Sequence, residues 1–526
     1  MKFLIVAPRY RDWLPYYCEL PLGIMYISAV LKKAGYDVEC LSMPLHYDEA
    51  DETLLRRKIV DNKIDVLCTG GLSPHYKYVK SILNISRSIK PDLITIAGGG
   101  MITSEPEIMF DALRVDYGVI GEGEITIVEL AEALTQGKEP NQVHGLIYRD
   151  SDHKIVKTPP RKVIADLDSL PYPDLEGFET AKYVDWQRTN DEYYTYPSDK
   201  PRILPIIASR GCPFSCSFCY HPLSKQYRSR SLDSLFREIE YLLSKYQINM
   251  LLPYDELFSV NKERLSEFCR RIKQYNLRWM IQIRVDTIDE EMLSLLKDSG
   301  CYYISYGIES ASDKILKAMN KKITVAEIDK ALELTQKYGI GIQGNLIFGN
   351  PEETVETAEE SLNWWFKNLR YHINLWYSTP YPGSPDYHHC LEKGVIKDRL
   401  AYIETGCPVV NMSRLTNHEF SKLTNLVHQL QSDKRFKIFG NVLSSAQTGH
   451  DRDRNLPLYD LEVECPTCGH VNHYKEFHFR FLGFFKMACR NCNQRYDMHA
   501  EVQNTNQDNH GSGAKINTIP AGIKES

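Results

Sequence analysis

Three cysteines, Cys212, Cys216 and Cys219, fall close together in "RGCPFSCSFCYHP" with the spacing C-x3-C-x2-C. Three thiolates this near one another can hold three irons of a 4Fe–4S cluster, for which a protein ordinarily supplies four cysteines. One iron then keeps an open site, the iron counterpart of the open position on a catalytic zinc. A zinc knuckle is the alternative the spacing leaves open. A second group, "CPTCGH" and "CRNCNQ", places Cys465, Cys468, Cys489 and Cys492 as two C-x2-C pairs. That pattern suits a tetrahedral four-thiolate site of zinc-ribbon or rubredoxin type, with zinc preferred to iron. Four protein ligands leave no position for water or substrate, so the expected role is structural. About 40 residues bury too little to fold alone, and a bound metal offsets that deficit. His470, His473 and His478 nearby read as surface residues. The other seven of the fourteen cysteines are scattered and read as small buried hydrophobes.

The chain has 526 residues, with 63 basic against 69 acidic side chains and a net charge of −6. It is too long for one core, and the usual domain size implies about three units. No charge excess points to nucleic acid. No stretch approaches the ~20 apolar residues of a membrane span. The opening "MKFLIVAPRYRDW" reads as a first strand and not as a signal peptide, so the expected location is cytoplasmic. In that compartment clustered cysteines are ligands before they are disulfides.

The elements that must position these cysteines follow from the apolar pattern. In residues 1–140, "FLIVAP", "DVECLSM", "DVLCTGG", "LITIAGGG" and "YGVIGEGE" are continuous apolar runs separated by segments of helical period. Such runs are strands buried on both faces, so the fold class is α/β, beginning with a doubly wound, Rossmann-like parallel sheet. Gly70, Gly71, Gly98, Gly99, Gly100, Gly121 and Gly123 all come just after strands, at the edge where such sheets bind ligands. Three glycine clusters on one edge suit a broad, close-fitting ligand; no G-x-G-x-x-G follows the first strand, which makes a dinucleotide the weaker expectation. Residues 141–200 read as a hairpin and a polar linker. Residues 201–390 hold six strand–helix repeats, enough for a partial (β/α)6 TIM-like barrel. Its functional side chains should follow the strands, and the cysteine triplet follows the first. Residues 391–460 read as a helical or irregular extension, 461–500 as the four-cysteine ribbon, and 501–526 as a disordered tail. Tyr302, Tyr303, Tyr306 and Trp376 lie near strand ends, where aromatics serve either a pocket or the core.

The triplet, with Phe218 just before its last cysteine, resembles the radical S-adenosylmethionine superfamily. In that family the open iron chelates the amino and carboxylate groups of S-adenosylmethionine. The resemblance covers about residues 200–390 and implies further cosubstrate contacts at strand ends. These are Asp255 and Glu256 in "PYDELF", Arg284 in "QIRVD", and Glu309 and Ser310 in "YGIESAS". The preceding doubly wound domain, with "ELPLGIMYISAVLKKAGY", "GGLSPHY", "AGGGM" and "VIGEGEITIVELAEAL", is similar to the cobalamin-binding class of the superfamily. That likeness implies cobalamin contacts from Leu22, Gly23, Gly70, Gly71, Leu72, Ser73, Gly98, Gly99, Gly100, Gly121, Glu122, Gly123 and Glu124. This domain lacks D-x-H-x-x-G, so no histidine is expected on cobalt, and Met101 replaces a histidine common after the fourth strand.

The implied activity is methylation of an unactivated carbon. The cluster donates an electron to S-adenosylmethionine, the resulting 5′-deoxyadenosyl radical takes a hydrogen from the substrate, and methylcobalamin delivers the methyl group. Relatives of this layout also catalyse cyclisation, rearrangement or carbon–carbon coupling. A cobalamin-sensing or carrier module is the reading from another class, and the intact triplet argues against it. An external electron donor such as flavodoxin or ferredoxin is implied as partner. The substrate is not named by the sequence.

Overall fold

The computed structural model describes residues 1–10, 19–189, 196–221, 224–451, 456–477, 483–502 and 514–516. The run "KFLIVA" forms β1 (Lys2–Ala7), buried at every position after Lys2. A strand apolar on both faces must be covered on both, and β1 lies inside a sheet. β2 (Asp37–Ser42), β3 (Val66–Gly70), β4 (Ile94–Gly98) and β5 (Tyr117–Val119) run parallel to it. The hairpin expected in the linker joins this sheet instead. Its strands β6 (Leu146–Arg149) and β7 (Ile155–Lys157) add antiparallel to β5, giving the order β2-β1-β3-β4-β5-β6-β7. The glycine turns after β3, β4 and β5 therefore share one edge. Met101 is buried in the core beside them.

The second sheet starts with β8 (Ile203–Ile206). Two short strands, β9 (Ser209–Arg210) and β10 (Arg228–Ser229), pair antiparallel and bracket the cysteine loop. β11 (Met250–Pro253), β12 (Arg278–Ile283), β13 (Cys301–Glu309), β14 (Gly341–Phe348) and β15 (Asn374–Tyr377) then continue from β8 in chain order, all parallel. This is the expected partial barrel. Its helices are amphipathic: Leu232–Tyr246 starts on Ser231, whose hydroxyl accepts the Ser234 N–H, and buries Leu235, Phe236, Ile239 and Leu242. A cap of this kind contributes about 1 kcal/mol. Tyr302, Tyr303 and Tyr306 are core residues of β13, whereas Trp376 is 53% exposed on the edge strand.

Beyond the barrel, helices at Arg399–Glu404 and Asn417–Ser432 match the expected extension. The stretch after them differs. β16 (Asn441–Asp451) and β17 (Leu456–Glu464) form an antiparallel sheet with β18 (Val471–Phe477). β16 is exposed at nearly every position, so no apolar alternation marks it in the sequence. β19 (Gly483–Ala488), β20 (Arg495–Val502) and β21 (Ala514–Ile516) make a second three-stranded sheet. His478, linker residues 190–195 and most of the expected disordered tail lie outside the described residues. Among the described residues no helix is long and apolar enough to cross a membrane.

The four-cysteine module docks at the start of the barrel strands through Asn493, Gln494 and Arg495. Asn493 Nδ2 donates to Gly339 O at 2.9 Å, Gln494 Nε2 to Ile340 O at 2.8 Å, and Arg495 Nη2 to His372 O at 3.0 Å. Arg278, opening β12, donates to Asn493 Oδ1 at 2.5 Å. The barrel strands are parallel, and the cysteine triplet follows the far end of β8. The two cysteine groups thus occupy opposite ends of the barrel.

Candidate functional site

The cysteine loop leaves the β9–β10 ladder at Gly211. This residue has φ +82°, and an added Cβ would lie 2.4 Å from Gln226 O, so the loop's two ends meet at a contact only glycine permits. The loop sits on the C-terminal end of the barrel. Ser217 N donates to Met319 O at 3.0 Å, Asp386 N to Ser217 O at 3.1 Å, and Asn320 Nδ2 to Ser215 O at 2.9 Å. Cys216 is buried, and Cys212 and Cys219 are half-buried. Burial pushes all three thiols up, Cys219 to about 12. They are protonated without a ligand, and metal binding must displace those protons.

Beside this loop lies a cavity of about 470 Å³ at the glycine edge of the first sheet. Leu22, Gly23, Gly70, Gly71, Leu72, Gly98, Gly99, Gly100, Gly121, Glu122, Gly123 and Glu124 line it. Ser73 is buried outside that lining. The opposite wall comes from the barrel: Ile207, Ser209, Arg210, Tyr254 and Glu256. The glycines divide into two kinds. A Cβ on Gly70 would lie 2.4 Å from Gly98 O, and one on Gly99 3.0 Å from Gly71 O, so these permit neighbouring loops to touch. At Gly23 and Gly121 an added Cβ meets nothing within 4 Å, so a side chain there would fill the cavity itself.

The family models for the B12 binding domain and the radical SAM superfamily match residues 15–131 and 206–364. These are the sheet with the glycine edge and the barrel with the cysteine loop. The chain is a radical SAM enzyme with a B12-binding domain. It is 28% identical to an uncharacterized methyltransferase of Pyrococcus horikoshii, over 80% of this chain and 90% of that protein. It is 29% identical to an anaerobic magnesium-protoporphyrin IX monomethyl ester cyclase of Rubrivivax gelatinosus, over 69% of this chain and 65% of the cyclase. The fold resembles the radical S-adenosylmethionine methyltransferase TsrM from Kitasatospora setae, solved with tryptophan and a SAM analogue. The TM-score is 0.61 at 19% identity, covering 74% of this chain and 76% of that one.

The enzyme's expected cosubstrate residues sit at the strand ends but are engaged unequally. Asp255 is buried and accepts from Ala208 N at 2.7 Å and Ser209 Oγ at 2.5 Å; burial pushes its carboxyl up to about 6. It ties β11 to the neck of the cysteine loop. Glu256 faces the cavity, 3.6 Å from His221 Nδ1. The Arg284 guanidinium lies 3.9 Å from the Phe214 ring centroid, pairs with Asp286, and donates to Lys321 O at 2.9 Å. Ser310 turns into the protein, its Oγ 3.2 Å from Ser361 Oγ. Glu309, held at φ +66°, pairs at 2.8 Å with Lys321 Nζ.

Lys321 is absent from the sequence reading. It is buried, 5.7 Å from the Phe218 ring centroid, and its charge acts on both Cys216 and Cys219. Tyr220 was also missed: its hydroxyl donates to Gly100 O at 2.7 Å and accepts from Ser104 Oγ at 2.7 Å, bridging the two sheets. His75, which lies in "GGLSPHY" but is not among the expected contacts, also lines the cavity. Its ring stacks on Tyr10 at 4.0 Å, and Nδ1 accepts the Leu72 N–H at 3.3 Å. Glu122 and Glu124 reach past the cavity wall to Arg210, and Glu122 also to Arg228.

At the other end of the barrel, the Sγ atoms of Cys465, Cys468, Cys489 and Cys492 lie within 4.8 Å of one another. Each pair forms the same knuckle. Gly469 N donates to Cys465 O and Asn493 N to Cys489 O, both at 2.9 Å, with Gly469 at φ +69° and Asn493 at φ +59°. This donor set fits one tetrahedral ion. His473 is exposed and paired with Glu462, and is not part of the set.

Proposed function

We propose that the enzyme uses a 4Fe–4S cluster on Cys212, Cys216 and Cys219, S-adenosylmethionine and cobalamin to methylate an unactivated carbon. The observation that carries this reading is the shared cavity. One wall is the glycine edge of the B12-binding domain, and the other adjoins the base of the cysteine loop. Gly23 and Gly121 leave space there that any side chain would take, as a broad ligand requires. When bound, the cofactors supply reductive cleavage of S-adenosylmethionine and a methyl carrier; the chain's part is to align them and exclude water. A one-electron donor such as flavodoxin or ferredoxin supplies the electron. The quartet holds structural zinc. Cyclisation without methyl transfer is the second reading, favoured by the similarity to the cyclase.

The zwitterionic end of S-adenosylmethionine is best matched by the buried Glu309–Lys321 pair, Glu309 toward the amine and Lys321 toward the carboxylate. Arg284 has its guanidinium occupied by Asp286 and backbone carbonyls. A charge-assisted hydrogen bond contributes about 1.5–3 kcal/mol, so Lys321→Met should raise the KM for S-adenosylmethionine roughly 10- to 100-fold. The cluster's absorbance should stay unchanged. An unaltered KM would return the carboxylate to Arg284.

The reading as a whole is tested by anaerobic reconstitution with methyl-labelled S-adenosylmethionine and candidate substrates. Label on carbon is expected; an unlabelled cyclised or rearranged product would select the second reading. The cob(II)alamin form should show no nitrogen superhyperfine splitting in electron paramagnetic resonance. A nitrogen pattern would contradict that expectation, since it would mean that cobalamin's own base or a histidine such as His75 sat on cobalt, and failure of the full chain to retain cobalamin would overturn the proposal.

A further inference from the structure

The neck of the cysteine loop carries two arginines in direct register. Arg210 on β9 and Arg228 on β10 are partners in a two-stranded ladder. Like charges opposite one another on a ladder repel, and a two-stranded ladder has little else to hold it. The charges that offset this repulsion come from the other domain. Arg210 Nη1 donates to Glu122 Oε1 at 3.1 Å and Nη2 to Glu124 Oε1 at 2.6 Å. Arg228 Nη1 lies 2.9 Å from both Glu122 oxygens and donates to Ile164 O at 2.7 Å. Glu122 Oε2 also accepts the Ile164 N–H at 2.6 Å. Glu122, Glu124 and Arg228 are buried, and Arg210 is nearly so, its side chain 12% exposed. Two positive and two negative charges balance, and loss of any one leaves a buried charge without its partner.

We infer that these four residues form an ionic latch, in which the B12-binding domain closes the neck of the cysteine loop and sets the spacing between the cavity and the cluster cysteines. Cys212 follows Arg210 by two positions, while Glu122 and Glu124 flank Gly123 on the cavity wall. A shift of one wall therefore carries the other. The glutamates of the "GEGE" turn are positioning residues, acting through the two arginines and not on a bound ligand. What the spacing is used for rests on the proposed function; the latch itself is a property of the chain.

The test uses the full chain. In cofactor-free protein, Glu122→Gln should raise amide hydrogen exchange in peptides spanning 211–228 roughly tenfold, with peptides of the C-terminal module unchanged. In reconstituted protein, misplacement should lower product formation by about 10²-fold while 5′-deoxyadenosine continues to form, so that radical initiation is uncoupled from product. Glu124→Gln should show the same split more weakly, because it leaves the Arg228 pair intact, and Glu124→Asp should restore part of the coupling. It also serves as the variant of choice should Glu122→Gln not fold. Unchanged exchange in the loop, or product and 5′-deoxyadenosine falling in parallel at normal exchange, would overturn the latch. Failure of the unaltered protein to load cobalamin would count against the proposed function alone, since the exchange measurement needs no cofactor.

Discussion

Replacing Cys212, Cys216 and Cys219 together by alanine is expected to abolish 5′-deoxyadenosine formation and remove the four irons of the cluster, while the C-terminal metal stays. The expectation rests on ligand count and on place. The loop offers three thiolates and, on the proposed reading, leaves one iron to the cosubstrate, so it would have no spare ligand. The other cysteine group lies at the opposite end of the barrel, held by contacts to Gly339, Ile340 and His372 that do not involve the loop. Changes at sites so far apart with no shared partner act independently. The loop should keep its shape in the variant. Its anchors are Gly211, the hydrogen bonds of Ser215 and Ser217, and the Arg210 and Arg228 pairs, none of which uses a thiol. Metal analysis and product chromatography decide the matter. Cleavage of S-adenosylmethionine by the triple variant would end the assignment, and concerted loss of both metals would mean that the variant had failed to fold.

What could be read from the sequence divides along physical lines. The cysteine groups and the parallel strands were legible because each is a local pattern: a ligand spacing, or an apolar run. The glycine edge was legible because turns after parallel strands must collect on one side. Partnership was not legible. The strand-end rule puts Arg284 in the right region, but Asp286, two positions on, takes its guanidinium. Lys321 comes from the segment after the helix Asp313–Ala318 and reaches Glu309 through space, so no spacing marks it. Glu122 and Glu124, which the resemblance implies as cofactor contacts, do line the cavity, but no spacing announces that they also pair with Arg210 and Arg228. β16 escaped notice for a different reason, since a strand exposed on both faces has no period to detect.

Changing Cys465 and Cys468 to serine should unfold the C-terminal module and make the chain sensitive to proteolysis near residue 460, with S-adenosylmethionine cleavage nearly intact in whatever protein stays soluble. The module's own core is small: Tyr459, Leu461, Val463, Tyr474, Phe485, Met487, Tyr496 and a few neighbours. Apparent zinc affinities of structural sites correspond to about 10–16 kcal/mol, of the same order as the whole stability of a domain, so a module this size does not survive the loss. The damage then extends to the barrel floor. Asn493, Gln494 and Arg495 directly follow Cys492, the last of the four cysteines, and they hold Gly339, Ile340 and His372 at the start of the barrel strands. Arg495 also lies 5.4 Å from the Tyr303 ring centroid. Without the knuckle these contacts go and buried aromatic surface meets water, which is why aggregation is expected as well as proteolysis. The cysteine loop, at the far end, keeps its own anchors. A limited digest, metal content and cleavage rate per soluble chain distinguish the outcomes. Iron that cycles in a redox titration, or a well-folded variant unable to turn over, would instead make the module a relay in the reaction.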